Sequence, residues 1–140
     1  MTRLANHRRT ILCWLPALLW MVVIFVLSSQ SGLRVSDDAA VDKPLRVVAH
    51  LGSYALLAGL LLLALDRGAR PALRGVAVAF AVAVLYGVSD EVHQSLVPDR
   101  TGRAEDVLVD ALGAAIGVAV AALILASSPR LRRGDGSRNA

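Results

Sequence analysis

The stretch 89–103 is dense in ionisable side chains, although apolar segments flank it on both sides. It contains Asp90, Glu91 and His93, and the residues 76–88 before it carry no charge. Carboxylate and imidazole groups can exchange protons with a substrate as general base and acid, or hold its polar groups by hydrogen bonds. A carboxylate at the centre of a bilayer costs about 2.5–3.5 kcal/mol on insertion scales. Acids beside such an apolar segment therefore predict a functional site.

Helical spacing gathers polar side chains from three segments of the chain. Residues four apart lie on the same face of a helix. The pairs with this spacing are His50 and Tyr54, Asp90 and Gln94, and Asp106 and Asp110. His93 extends the face of the second pair, and Glu91 lies on the stripe beside it. Because the three segments place these groups at a similar depth, we predict one contiguous polar pocket.

These residues divide into two candidate groups by their chemistry. The candidate catalytic residues are Asp90, Glu91 and His93. The candidate substrate-binding residues are Arg46, His50, Tyr54, Gln94, Arg100, Asp106 and Asp110. A guanidinium can bind phosphate through two parallel hydrogen bonds, while carboxylates can orient it or accept from sugar hydroxyls. The cluster can therefore hold the polar groups of a ligand.

Arg100 lies on the short loop 95–105 between two segments that both carry acids. The acids that this loop brings together are Asp90, Glu91, Asp106 and Asp110. At 4 Å, two like charges repel by about 4 kcal/mol at an effective dielectric constant of 20. The planar guanidinium can bridge two carboxylates or hold a phosphate. We therefore predict that Arg100 anchors the site and that a lysine cannot replace it.

Each candidate residue also has a purely structural interpretation. His50 could be a core histidine that is hydrogen-bonded to a carboxylate, and Glu91 could be solvated at the membrane interface. Asp90 and Asp110 could be ion-pair partners of Arg46 or Arg100, and such pairs can hold a bundle together. Both interpretations remain open from the sequence.

The sequence assigns no metal ion and no cofactor to this cluster. The H-E-x-x-H pattern of zinc enzymes is absent, and neither a Ser-His-Asp arrangement nor a reactive cysteine is evident. A divalent metal ion stays open as an alternative, and its ligands would be His50, Asp90, His93 and Asp110.

Four apolar segments can position the cluster. About 20 apolar residues cross the hydrocarbon core of a bilayer. The candidate spans are about 11–28, 47–65, 73–94 and 107–126. With 56% hydrophobic and 19% charged residues, the chain is more apolar than an ordinary soluble domain. We predict an all-α, polytopic membrane bundle of four transmembrane helices. It forms one domain over 1–140, with a basic and partly disordered tail at 127–140.

The distribution of basic residues predicts the orientation of the chain in the membrane. Of the 15 Lys and Arg residues, ten lie in 1–10, 66–74 and 128–140, and five lie in the remaining loops. An excess of Lys and Arg marks the cytoplasmic side of a membrane protein. We therefore place both termini in the cytoplasm and residues 89–106 outside. The basic tails favour contact with anionic lipid, and we expect no binding to nucleic acid.

Gly113 and Gly117 form a G-x-x-x-G pattern on the same stripe as Asp106 and Asp110. Glycine allows two helix backbones to approach closely within a membrane. We therefore predict that the second and fourth helices, or the third and fourth, pack together at these glycines. The two acids would then point into the bundle and not at lipid.

Several blocks of sequence carry a further resemblance. They are Phe25-Val26-Leu27-Ser28-Ser29-Gln30, Arg46 with His50 and Tyr54, Asp90-Glu91-x-His93-Gln94, Pro98-x-Arg100-Thr101-Gly102, and Asp106-Val107-Leu108-x-Asp110-x-Leu112-Gly113-Ala114. Together they resemble the VanZ-like membrane protein family, whose founding member is associated with low-level resistance to teicoplanin. The resemblance runs from about Trp20 to Gly117. It departs from the common pattern at Val47 and Ser53, where many members have Lys and Glu.

The resemblance implies a multi-pass protein of the bacterial cytoplasmic (inner) membrane. It favours binding or modulating a lipid-linked or surface glycan component of the cell envelope, such as a peptidoglycan precursor, at the outer leaflet. The alternative is a membrane-embedded acid/base enzyme that acts on a lipid-linked envelope precursor. The expected partners are membrane lipid and such a glycan. The sequence leaves open whether the protein is an enzyme and whether it is a homo-oligomer.

Overall fold

The chain folds into four α-helices. The computed structural model describes residues 2–31, 38–66, 71–98 and 100–127. The helices are α1 (Thr2–Ser28), α2 (Ala39–Leu65), α3 (Leu73–Ser95) and α4 (Ala104–Ser127). No strand occurs within these described ranges, so the predicted all-α fold class is confirmed. The tail predicted at 127–140 lies outside the described residues from residue 128 onward.

Three of the helices are long and apolar enough to cross a membrane. Within the described residues these spans are Ala40–Leu65, Leu73–Ser95 and Ala104–Ser127. The shortest has 23 residues and, at about 1.5 Å per residue, reaches about 35 Å against a hydrocarbon core of about 30 Å. The apolar part of α1, Leu12–Ser28, is shorter than these three. Helix length and composition thus mark a membrane protein.

Both α1 and α2 begin earlier than their predicted apolar spans. Helix α2 begins at Ala39, because the Asp38 side chain caps it by accepting a hydrogen bond from the Ala40 N–H at 2.9 Å. Such a cap satisfies one of the four N–H groups that a helix leaves without an internal partner. Hydropathy marks only the apolar part of a helix. The extra turns at the start of α2 carry Asp42 and Arg46 into the helix itself.

The most extensive contact between helices joins α2 and α4. A Cβ atom built on Gly113 would overlap the backbone of Leu51, and one built on Gly117 would overlap the backbone of Ala55. Of the two predicted pairings, the structure therefore has the pairing of the second and fourth helices. Because both partners advance by four residues, α2 and α4 run parallel and begin at the same end of the bundle.

Helix α3 closes the bundle with small residues, and α1 is held at its side by two polar anchors. The buried residues of α3 include Ala79, Ala83 and Gly87. The Trp20 indole N–H of α1 donates to the Ser53 carbonyl oxygen at 2.9 Å. In the other direction, the Tyr86 hydroxyl of α3 donates to the carbonyl oxygen of Met21 at 2.7 Å. These bonds set the position of α1 against both α2 and α3.

Replacing Gly117 by alanine is expected to destabilise the bundle. The added methyl group would overlap the Ala55 carbonyl, and a backbone atom cannot swing aside as a side chain can. Overpacking costs about 1–3 kcal/mol, against roughly 1 kcal/mol gained from the better helix propensity of alanine. The measurement is the free energy of unfolding of the purified protein in detergent micelles.

The matched control is Gly52→Ala, which makes the same change on the open face of α2. A Cβ atom at Gly52 meets nothing within 4 Å, so this variant is expected to be as stable as the parent or more stable. Equal stability of Gly117→Ala and Gly52→Ala would show that the glycine contact does not hold α2 against α4.

Candidate functional site

The polar residues of the bundle meet at one of its ends. There α1 and α3 end, and α2 and α4 begin. The buried polar residues of the described ranges all lie at this end, and they are Ser28, Asp90, Glu91, Gln94, Asp106 and Asp110. A charged group that is removed from water is strongly destabilised unless it is paired or hydrogen-bonded. The partners of these groups therefore define the site.

His50 of α2 and Asp110 of α4 are in direct contact. The Nδ1 atom of His50 lies 2.9 Å from Oδ1 of Asp110. Asp110 is 0% exposed, so water does not supply partners for its carboxylate. Among the described residues, its second oxygen Oδ2 has no hydrogen-bond partner. The contact agrees with His50 as a core histidine, and it also fixes the ring in one orientation.

Arg46 and Asp106 repeat this pairing one helical turn closer to the helix ends. Their Nη2 and Oδ2 atoms lie 3.3 Å apart. Both residues precede the His50–Asp110 pair by four positions, as the parallel register of α2 and α4 requires. Arg46 thus faces Asp106, and it is not the partner of Asp90 or Asp110 that the structural interpretation offered.

Gln94 holds two acids of α3 together. Its Nε2 atom donates to Oδ2 of Asp90 at 2.9 Å and lies 3.4 Å from Oε1 of Glu91. All three side chains are buried, so Glu91 is not the solvated interface residue of the structural interpretation. Oδ1 of Asp90 has no hydrogen-bond partner in the described part of the chain.

The loop between α3 and α4 binds the second oxygen of Glu91. The backbone N–H of Arg103 donates to Oε2 of Glu91 at 2.7 Å. A Cβ atom on Gly102 would overlap the carbonyl oxygen of Glu91, so only glycine lets the loop come this close. The side chain of Arg103 itself is exposed. Its backbone, and not its guanidinium, serves the site.

Arg100 does not bridge two carboxylates, which was one of its predicted roles. Its guanidinium contacts neutral oxygens. Its Nη1 donates to Oε1 of Gln94 at 3.3 Å. Its Nε and Nη2 donate to the carbonyl oxygens of Gln30 at 3.0 Å and Leu27 at 3.1 Å. The last carbonyls of a helix lack internal partners and attract a cation. The end of α1 therefore draws Arg100 away from the acids.

His93 does not join the acids as its spacing suggested. Its Nε2 atom lies 2.9 Å from Oγ of Ser29, and its ring stacks on Phe25 with the centroids 4.5 Å apart. At about 100° per residue, His93 lies about 160° around α3 from Glu91. The buried face of α3 is centred on Gln94, and His93 falls outside it and contacts α1.

Tyr54 and Gly87 complete the wall behind Asp110. Tyr54 is 1% exposed, and its hydroxyl has no hydrogen-bond partner among the described residues. A Cβ atom on Gly87 would lie 3.1 Å from Oδ2 of Asp110 and 3.3 Å from Cε1 of Tyr54. Gly87 was not a predicted site residue. The signal that could have identified it is its place one turn before Asp90 on the same face.

A pocket of about 130 Å³ opens beside these residues, between α1, α2 and α3. Six predicted site residues line it, namely Arg46, His50, Tyr54, Asp90, Gln94 and Arg100. The remaining candidates Glu91, His93, Asp106 and Asp110 do not line it. A single water needs about 10–15 Å³, so the pocket has room for a polar group of several atoms.

Three of the residues could hold a metal ion. His50, Glu91 and Asp110 each offer one ligand atom, and these atoms all lie within 4.8 Å of one another. The set differs from the alternative considered from the sequence, since Glu91 takes part and neither Asp90 nor His93 does.

Comparison with known proteins adds one match. A family model described as VanZ/LLP1 matches residues 13–125. The matched segment begins in α1, ends in α4 and contains every predicted site residue. No curated protein and no solved structure matches the chain.

Proposed function

The chain belongs to the VanZ/LLP1 family, and we propose that it binds or modulates a lipid-linked or surface glycan component of the bacterial cell envelope. The family match confirms the resemblance carried by the sequence motifs. The long apolar helices of the chain agree with a multi-pass membrane protein of the VanZ type. The class of ligand is a proposal that rests on the pocket.

The proposal rests on one pocket that is lined by both apolar and cationic side chains. Ile24 and Leu27 of α1 form part of its apolar wall, while Arg46 and Arg100 contribute guanidinium groups. A lipid-linked glycan offers a hydrocarbon chain next to a phosphate and sugars. Arginine binds phosphate through paired N–H donors, which suits it to the polar part of such a ligand.

The remaining polar lining suits sugar hydroxyls. Asp90 lines the pocket and contributes a carboxylate to its wall. A carboxylate oxygen accepts hydrogen bonds from hydroxyl groups, and Gln94 and Ser28 add further polar atoms to the same wall. A ligand that carries phosphate and sugar would thus find partners for both.

We further propose that all four helices cross the inner membrane, with both termini in the cytoplasm. Helix α1 has 27 residues, so it is long enough although its apolar part is short. The excess of Lys and Arg in 1–10, 66–74 and 128–140 supports a cytoplasmic position for those segments. The pocket would then open at the outer leaflet.

A cysteine-labelling experiment can test this orientation. The chain has one cysteine, Cys13, so a single substitution removes the background. In a Cys13→Ser background, Thr101→Cys places a thiol on the exposed loop between α3 and α4. Intact cells treated with a membrane-impermeant maleimide are expected to label it. Labelling only after permeabilisation would put the pocket on the cytoplasmic side.

The His50–Asp110 pair favours a second candidate, a membrane-embedded acid/base enzyme acting on a lipid-linked precursor. A histidine whose Nδ1 is held by a buried carboxylate presents its other ring nitrogen in a fixed direction, as in catalytic acid/base pairs. His50 also lines the pocket, so a bound ligand would lie next to it. Binding and catalysis would share the same site.

Lipid retention tests the proposed function. The protein is purified in detergent, and lipids that remain bound are identified by mass spectrometry. Arg46→Gln is expected to lose most of the retained phosphate-containing glycolipid, because one guanidinium of the pocket is gone. Arg100→Lys is expected to lose it as well, since an ammonium cannot make the three separate contacts of the guanidinium.

Lys43→Gln is the matched control, because Lys43 is exposed on α2 three residues before Arg46. It removes a charge without touching the pocket and is expected to retain the lipid. Equal lipid retention by Arg46→Gln and Lys43→Gln would show that the pocket does not bind the retained lipid. Conversion of an added lipid-linked precursor by the parent, but not by Asp110→Asn, would favour the enzyme instead.

A further inference from the structure

We propose that His50, Glu91 and Asp110 form a binding site for one first-row divalent metal ion, of which Zn²⁺ is the best fit. The three residues come from α2, α3 and α4, so the ion would tie these helices together. Each offers one ligand atom, and the atoms lie within 4.8 Å of one another. The site adjoins the pocket through His50 but does not depend on what the pocket binds.

The spacing of the ligand atoms is close to what a single ion needs. Metal–ligand distances of about 2.0–2.2 Å place two ligands of one Zn²⁺ ion roughly 3–4 Å apart. The Nδ1 atom of His50 and Oδ1 of Asp110 are joined by a hydrogen bond of 2.9 Å, and an ion between them would replace it. The ligand atom of Glu91 lies within 4.8 Å of the other two, so it would move inward to enter the same shell.

An independent observation points to a missing partner for Asp110. The residue is 0% exposed, and its Oδ2 atom has no hydrogen-bond partner among the described residues. A buried carboxylate oxygen without a partner is strongly destabilising. Gly87 lies beside this oxygen, and a Cβ atom there would be only 3.1 Å from it, so a larger residue would crowd Oδ2.

The charges around the site also favour a cation. Asp90 and Asp106 lie at the same end of the bundle as the two proposed carboxylate ligands. Arg46 pairs with Asp106, whereas Arg100 donates to neutral amide and carbonyl oxygens. The acids thus outnumber the cations that face them, and a divalent ion would balance the excess in a medium of low dielectric constant.

Glu91 is held as the ligands of metal sites usually are. Gln94 reaches one of its oxygens at 3.4 Å, and the backbone N–H of Arg103 donates to the other at 2.7 Å. Such outer contacts orient a ligating carboxylate and leave further lone pairs of each oxygen free. The loop and Gln94 would therefore fix the ligand before the ion arrives.

The mixed ligand set selects the class of ion. Zn²⁺ accepts imidazole nitrogen as well as carboxylate oxygen, whereas Ca²⁺ and Mg²⁺ prefer oxygen ligands alone. Three protein ligands also leave at least one coordination position for another group. Because His50 lines the pocket, that position would lie near it.

Equilibrium dialysis of the full chain in detergent micelles tests the site. The protein is stripped with a chelator and dialysed against ZnCl₂ or, in parallel, against CaCl₂, and its metal content is measured by mass spectrometry. The parent is expected to bind one Zn²⁺ per chain more tightly than Ca²⁺. Asp110→Asn is expected to weaken binding by about 100-fold or more, since even the loss of an outer-shell partner costs 10–100-fold.

Glu105→Gln serves as the control, because it removes an exposed carboxylate from the first turn of the same helix. Its affinity for Zn²⁺ is expected to match that of the parent. X-ray absorption on the zinc-loaded parent gives a readout that does not depend on variant folding, and it is expected to show one imidazole among oxygen ligands. Failure of the parent to bind, equal affinity in Asp110→Asn, or a shell without imidazole would each overturn the proposal.

Discussion

A carboxylate that is fully buried in an apolar helical bundle needs a partner, and the rest of this structure is arranged around that need. Asp110 is 0% exposed, and His50 lies 2.9 Å from one of its oxygens. The contact exists because Gly113 and Gly117 let the backbone of α4 approach α2. Close approach also sets the register, so that Arg46 meets Asp106 one turn away. The close packing of α2 against α4 therefore also brings the oppositely charged partners together.

The other two helices complete the site in different ways. Helix α3 supplies Asp90 and Glu91 with Gln94 between them, and the loop that follows returns to bind Glu91 through the Arg103 backbone. Helix α1 contributes its last carbonyls, which Arg100 binds, and an apolar wall. The pocket thus lies where the weakly packed α1 meets the tightly packed remainder. A ligand could enter there without disturbing the contact of α2 with α4.

Much of the α2–α4 pairing could be predicted from sequence, because it depends on spacing within helices. Two acids and two glycines on one stripe of α4 indicated both the buried face and a close neighbour, and His50 had the matching spacing on α2. His93 and Arg100 have contacts that their spacing and charge did not indicate, because both side chains reach the end of α1. Docking of α1 depends on bonds to individual carbonyls, and hydrophobic periodicity carries no signal for these. The close approach of Gly102 to Glu91 depends on the distance between two segments of the folded chain, and a single sequence does not give such distances.

The central claim is that the His50–Asp110 contact couples α2 to α4. A double-mutant cycle measures it most directly, with His50→Gln, Asp110→Asn and the combined variant unfolded in detergent micelles in the presence of a chelator. Residues in direct contact typically show interaction free energies of about 0.5–3 kcal/mol, and a buried pair should lie in the upper half of that range. We expect a coupling free energy of about 2–3 kcal/mol. Single effects that add to within about 0.5 kcal/mol in the double variant would contradict the claim.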